Sequence, residues 1–129
     1  MKQKYHFFLN IFLYYFYGEK FYKRLSFEWK NYPSRVDIIK KIIKNRNYKT
    51  YLEIGCDNDQ NFSQISIDKK VGVDPLKGGT LRMTSDEFFL RNNDFFDIIF
   101  LDGLHTSEQK IKDIENSLRY LNNNGGILV

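Results

Sequence analysis

Two short segments of the chain each run into an acid, with the spacing of about twenty residues that a ribose-binding unit uses. They are Tyr51-Leu52-Glu53-Ile54-Gly55-Cys56 and Val71-Gly72-Val73-Asp74. A carboxylate placed as Asp74 is can take one hydroxyl of a vicinal pair on each oxygen. The turn at Gly55 would receive another part of the same ligand. The pattern points to a nucleoside-type molecule held at the ends of two strands, with Glu53 either touching that molecule or capping the turn behind it. Two further groups of polar residues stand later in the chain, at Thr84-Ser85-Asp86-Glu87 and at Asp102-Gly103-Leu104-His105. His105, with an ordinary pKa near 6.5, is a candidate base for an acceptor hydroxyl, or else a cap for the helix that follows. Asp102 is a candidate for orienting the acceptor.

The charge of the turn narrows the ligand. A pyrophosphate needs glycines and free backbone N–H groups at a helix start, whereas the residues after Gly55 are Cys56-Asp57-Asn58-Asp59-Gln60-Asn61. Two carboxylates about 4–6 Å from a phosphate would repel it by about 1 kcal/mol or more each. The same acids suit a sulfonium and an ammonium, the charges of S-adenosylmethionine. Only one glycine stands in this turn, and Asn58 and Asn61 are the residues expected to take left-handed positions in place of others.

From Glu53-Ile54-Gly55 onward, through Val71-Gly72-Val73-Asp74-Pro75 and Phe96-Asp97-Ile98-Ile99-Phe100-Leu101-Asp102-Gly103-Leu104-His105, the chain resembles the short type of class I S-adenosylmethionine-dependent methyltransferase domain. The resemblance spans about residues 34 to 129. It implies transfer of a methyl group to a small-molecule or sugar-type acceptor. It also implies cofactor contacts from Glu53, Gly55 and Asp74, and an adenine edge read by Ser85 and Asp86, which are equally suited to capping a helix. Asp102 and His105 fall on the acceptor side. In some relatives of this type the acid matching Asp102 binds Mg²⁺ with partners after the next strand. Such partners do not occur in this sequence, and no metal is expected. Two alternatives stay open: a nucleotide- or NAD-dependent enzyme on the same fold, and a non-catalytic interaction fragment.

Positioning these residues requires alternating strands and helices. Pro33 stops what precedes it, and Ser34 with Asp37 makes a capping-box start for a helix Ser34–Arg46, with Ile38, Ile39, Ile42 and Ile43 on one face. Strands are expected at Thr50–Ile54, Lys70–Val73 and Asp97–Leu101, with a further one around Leu81–Thr84 before a helix Asp86–Arg91. The continuous apolar runs fit parallel strands buried on both faces. A helix Ser107–Leu121 carries Ile111, Ile114, Leu118 and Leu121 on one stripe, capped by Thr106 with Gln109, and stops at Gly125-Gly126. Ile127-Leu128-Val129 opens another strand. The expected fold is α/β, a Rossmann-like, doubly wound, mostly parallel sheet with flanking helices, incomplete on its C-terminal side. An uncovered edge there invites self-association.

With 129 residues the chain makes one domain at most. Residues 1–33 form an aromatic and basic segment ahead of the domain at 34–129. The apolar run from Phe7 to Tyr17 is too short to span a bilayer, which takes about 20 residues, and no small-residue cleavage site follows it. The net charge of +4 divides unevenly: residues 1–50 hold twelve Lys/Arg against three Asp/Glu, and the rest eight against thirteen. The basic part reads as solvated helix surface, so no nucleic-acid partner is expected. A single cysteine, Cys56, excludes an internal disulfide and fits a reducing, cytoplasmic compartment.

Overall fold

The structure, a computed structural model, describes residues 32–103 and 106–129. The expectations for residues 1–31, and for Leu104 and His105, lie outside the described residues. From Pro33 onward the elements run α1 (Arg35–Arg46), β1 (Thr50–Ile54), a 3₁₀ turn (Phe62–Gln64), β2 (Lys69–Val73), α2 (Ser85–Arg91), β3 (Ile98–Leu101), α3 (Ser107–Arg119) and β4 (Ile127–Leu128). The four strands form one parallel sheet in the order β2-β1-β3-β4.

Side chains alternate across this sheet, and each face buries its own core. Tyr51, Ile98 and Phe100 point to one face, where they meet Val36 and Ile39 of α1 and Phe62 and Ile65 after the first turn. Leu52, Ile54 and Ile99 point to the other, against Phe88 and Phe89 of α2, with Tyr120 and Leu121 at the end of α3 beside them. The Glu53 side chain, on the α1 face between Tyr51 and the turn, is also buried.

Helix starts follow from their caps. Asp37 N–H donates to Ser34 Oγ at 3.2 Å, and Ser34 N–H donates back to Asp37 Oδ2 at 2.9 Å. A second complete box, Thr84 with Glu87, opens α2. Asn47 ends α1 in a left-handed conformation at φ 55°. Asp97 sews the lower end of the sheet together, accepting from Lys49 N–H at 2.7 Å, Thr50 N–H at 2.9 Å and the Asn122 amide at 2.6 Å.

Several expectations need correction. The strand at Leu81–Thr84 is reduced to one bridge, Leu81 with Val73. The loop from Asp74 curls back through Gly78 and Gly79, both at positive φ, and returns to the end of β2, where Thr80 and Leu81 N–H donate to the Gly72 carbonyl and Asp74 N–H donates to the Leu81 carbonyl. On α1, Ile38 is exposed, and Val36 with Ile39 forms the buried face. On α3 the apolar stripe of Ile111, Ile114 and Leu118 faces outward, and Asp113 and Ser117 are the buried residues. Thr106 accepts from Gln109 N–H at 3.4 Å, but the Gln109 side chain does not return to Thr106. It is drawn away to α2.

Candidate functional site

From β1 the chain crosses to β2 on one side and then to β3 on the other, so the sheet order reverses between β1 and β3. A reversal of this kind leaves a crevice at the carboxyl ends of the two strands. Here it lies between Gly55 and Asp102-Gly103. Gly55, at φ +86°, lets the strand ends approach so closely that a Cβ on it would stand 2.4 Å from the Asp102 carbonyl oxygen. No other residue fits that position without moving β3.

Two cavities open at this place and share Gly55, Asp57 and Asp102 as their common wall. The first, of about 350 Å³, has apolar walls from Ile54, Val73, Pro75 and Leu76, with polar atoms of Asp74, Ser85, Asp86, Gln109 and Asp113 around them. The second, of about 340 Å³, is lined by Arg35, Glu53, Asn58, Gln60 and Asn61. Of the residues expected to form a site, Gly55, Asp74, Ser85, Asp86 and Asp102 come together in the first cavity. Glu53 stands in the second, and His105 lies outside the described residues.

Asp74 is buried and already engaged. Its Oδ1 accepts from Leu76 N–H at 2.8 Å and Lys77 N–H at 2.9 Å, and its Oδ2 accepts from Asp57 N–H at 2.9 Å. Burial pushes its pKa up, but the backbone N–H groups of Lys77, Asp57 and Leu76 outweigh this and hold it below the usual carboxylate range. A carboxylate has about four acceptor positions, so three occupied ones leave a single position, on Oδ2, for a ligand hydroxyl. The carboxylate thus fastens the turn after β1 to the loop after β2 as well as facing the cavity.

The two acids of the first turn work in the same way. Asp57 and Asp59, at φ 45° and 60°, hold the left-handed positions; Asn58 and Asn61 do not. Short acidic side chains tolerate this conformation because they bond locally. Asp59 Oδ1 accepts from Gly79 N–H at 2.7 Å, and Asp57 Oδ1 pairs with Lys77 Nζ at 2.7 Å. Asp57 still lines both cavities, whereas Asp59 lines neither.

Glu53 accepts a hydrogen bond from the Tyr51 hydroxyl within the α1-side core. Burial raises its pKa to about 7; the Tyr51 hydrogen bond opposes this, and the nearby Asp102 and Asp59 add to the rise. Asp102 is tied to α1 by Arg35, Nη1 to Oδ2 at 2.5 Å. Cys56 is a buried filler: burial and the surrounding carboxylates push its thiol up to about 12, and its sulfur packs against Gly72 and Gly79.

Because Thr84 caps α2, Ser85 and Asp86 are not used as caps. The Gln109 amide donates toward Ser85 Oγ at 3.2 Å, Asp86 Oδ1 at 3.1 Å and Asp113 Oδ1 at 3.0 Å. Lys112 pairs with Asp86 at 3.1 Å. Arg35, Gln109 and Asp113 are site residues that sequence reasoning missed. For the cap a signal existed, the Thr84-x-x-Glu87 box. For Arg35, which meets an acid 67 positions away, no local signal exists.

Among the described residues, no group of three or more His, Cys, Asp or Glu is placed to hold a metal ion, and no helix is long and apolar enough to cross a membrane. Comparison of the chain with protein-family models, with curated proteins and with solved structures finds no match.

Proposed function

We propose that this chain carries a Rossmann-like, doubly wound domain of the class I methyltransferase type, which binds S-adenosylmethionine and transfers its methyl group to a small-molecule acceptor. The observation that supports this reading best is the pair of cavities divided at Gly55, Asp57 and Asp102. A ligand with a flat, largely apolar adenosine half and a short charged amino-acid half needs two adjoining compartments of unlike polarity. The apolar walls of Ile54, Val73 and Leu76 suit the base, and the open position on Asp74 suits one ribose hydroxyl. Ser85, Asp86 and Gln109 offer donors and acceptors to a base edge. The compartment holding Glu53, Arg35, Asn58 and Asn61 suits an ammonium and a carboxylate together. Asp57, between the halves, is ion-paired with Lys77 and so favours a sulfonium over a phosphate only weakly.

Methyl transfer is a direct displacement: a bond forms from acceptor to methyl carbon as the carbon–sulfur bond breaks, leaving a neutral thioether. Alignment does most of the work. Asp102, held by Arg35 at the rim of both cavities, is placed to orient an acceptor, with His105 assigned the proton of an acceptor hydroxyl. Calorimetric titration with S-adenosylhomocysteine and with NAD tests the reading. S-adenosylhomocysteine is expected to bind tighter, and tighter binding of NAD would overturn it. One observation favours a non-catalytic scaffold instead, the use of three of Asp74's four acceptor positions by the chain's own backbone. Absence of binding by both ligands would support that second reading.

A further inference from the structure

A third cavity, of about 420 Å³, lies between α3 and the upper ends of β3 and β4, and it shares Asp102, Gly103 and Asp113 with the first. Its walls are apolar, from Leu101, Ile114, Leu128 and Val129, with Lys110 at the side. Ile114 remains 43% exposed. Asp113, by contrast, is only 4% exposed. Its Oδ1 accepts from Gln109; among the described residues it makes no ion pair and nothing donates to its Oδ2, which lies on the Gly103 side of the groove. Each of the other aspartates around the crevice, Asp57, Asp74, Asp86 and Asp102, has a Lys or Arg within 4 Å. A carboxylate so little exposed and without a cation beside it gains when a charged donor reaches it.

We infer that this groove is a binding subsite for an amine carried on an apolar skeleton, with the ammonium on Asp113 Oδ2 and the skeleton against Ile114, Leu128 and Leu101. A hydroxyl in the same place would satisfy one lone pair but leave the charge uncompensated. A carboxylate would add a second negative charge. That the molecule anchored in this way is the methyl acceptor, through a hydroxyl elsewhere on its skeleton, rests on the function proposed above, because the groove shares Asp102, Gly103 and Asp113 with the cavity assigned to the cofactor. The amine site itself stands on the groove and Asp113 alone.

The test uses the full chain, titrated with n-hexylamine, n-hexanol and hexanoate, with and without saturating S-adenosylhomocysteine, and followed by backbone amide shifts. Hexylamine is expected to bind about tenfold or more tighter than hexanol, the scale of one charge-assisted hydrogen bond. Its shifts should centre on Gly103, Ile114 and Leu128. Asp113→Asn, which removes the charge, is expected to erase the preference of hexylamine over hexanol. Equal binding of hexylamine and hexanol by the unmodified chain, or shifts centred elsewhere, would overturn the inference whether or not the variant folds. Amine binding at the groove without S-adenosylhomocysteine binding would uphold this site and overturn the methyltransferase reading. The converse result would do the opposite.

Discussion

Asp74 is the residue on which the ligand site and the local fold depend together. With three backbone N–H groups bonded to its carboxylate, Asp74→Ala removes the acceptor that ties two loops together, at a cost of about 1–3 kcal/mol of stability. Asp74→Asn is expected to lose nearly as much. Its amide must present N–H either to Asp57 N–H or to those of Leu76 and Lys77, donor against donor. Urea unfolding of both variants would show lowered midpoints, and unchanged midpoints would mean the two loops hold without this clamp. Ligand affinity should fall in parallel. Affinity lost at unchanged stability would instead assign Asp74 to the ligand alone. Gly55 is similarly dual. The same glycine that a ligand-binding turn wants is required by the Asp102 carbonyl oxygen just after β3, which would stand 2.4 Å from a Cβ at this position.

Among the elements, α3 separates what periodicity can tell from what it cannot. The stripe of Ile111, Ile114 and Leu118 marks the segment as a helix, and the helix Ser107–Arg119 is there. The face it buries is another matter. Leu118 is 57% exposed, whereas Ser117 is wholly buried with its hydroxyl unbonded. Leu118→Ala is therefore expected to change stability by about 0.5 kcal/mol or less, whereas Ile39→Ala on α1 should cost about 2–5 kcal/mol. Ser117→Ala, which removes an unpaired buried hydroxyl, should be neutral or stabilising by up to about 1 kcal/mol. Thermal unfolding of the three variants checks this order, and a large loss in Leu118→Ala would show that its stripe is covered in solution. The strands β1, β2 and β3 were legible to within one residue because continuous Ile, Val and Phe runs bounded by polar residues admit few other readings. The capped start of α1 was equally legible. The reduction of the strand expected at Leu81–Thr84 to one bridge was not, because it depends on Gly78 and Gly79 bending the chain back onto Gly72. Arg35, and the reach of Gln109 to Ser85 and Asp86, were invisible for a related reason: those partners meet only through tertiary packing, whereas the Gln109–Asp113 pair is an i, i+4 contact on one helix.

At the scale of the whole molecule, two kinds of buried carboxyl titrate in opposite senses. In Asp74 and Asp97 burial raises the pKa, but hydrogen bonds to the charged form outweigh it and leave both below the ordinary range. A depressed native pKa stabilises the fold above the unfolded value of about 3.9, and that stability is lost as pH falls through the native value. Glu53 runs the other way, because burial has raised it to about 7. Between its unfolded value of about 4.3 and that point the native chain holds a proton the unfolded chain has released, so stability declines as pH rises across the window. The two limbs together place the expected stability maximum near pH 5, at about the acid end of the range where most proteins are most stable. Urea midpoints measured in steps from pH 3 to pH 8 should trace both limbs, and Glu53→Gln should flatten the upper limb while leaving the lower one intact. The same titration bears on function. Ionised Glu53 attracts a ligand ammonium, so S-adenosylhomocysteine affinity should increase as pH rises through about 7 in the parent chain but not in Glu53→Gln. A parent chain whose stability climbed steadily from pH 5 to pH 7 would show that Glu53 is ionised in the native core, and with that the Tyr51–Glu53 pair would become a charged anchor rather than a proton-holding one.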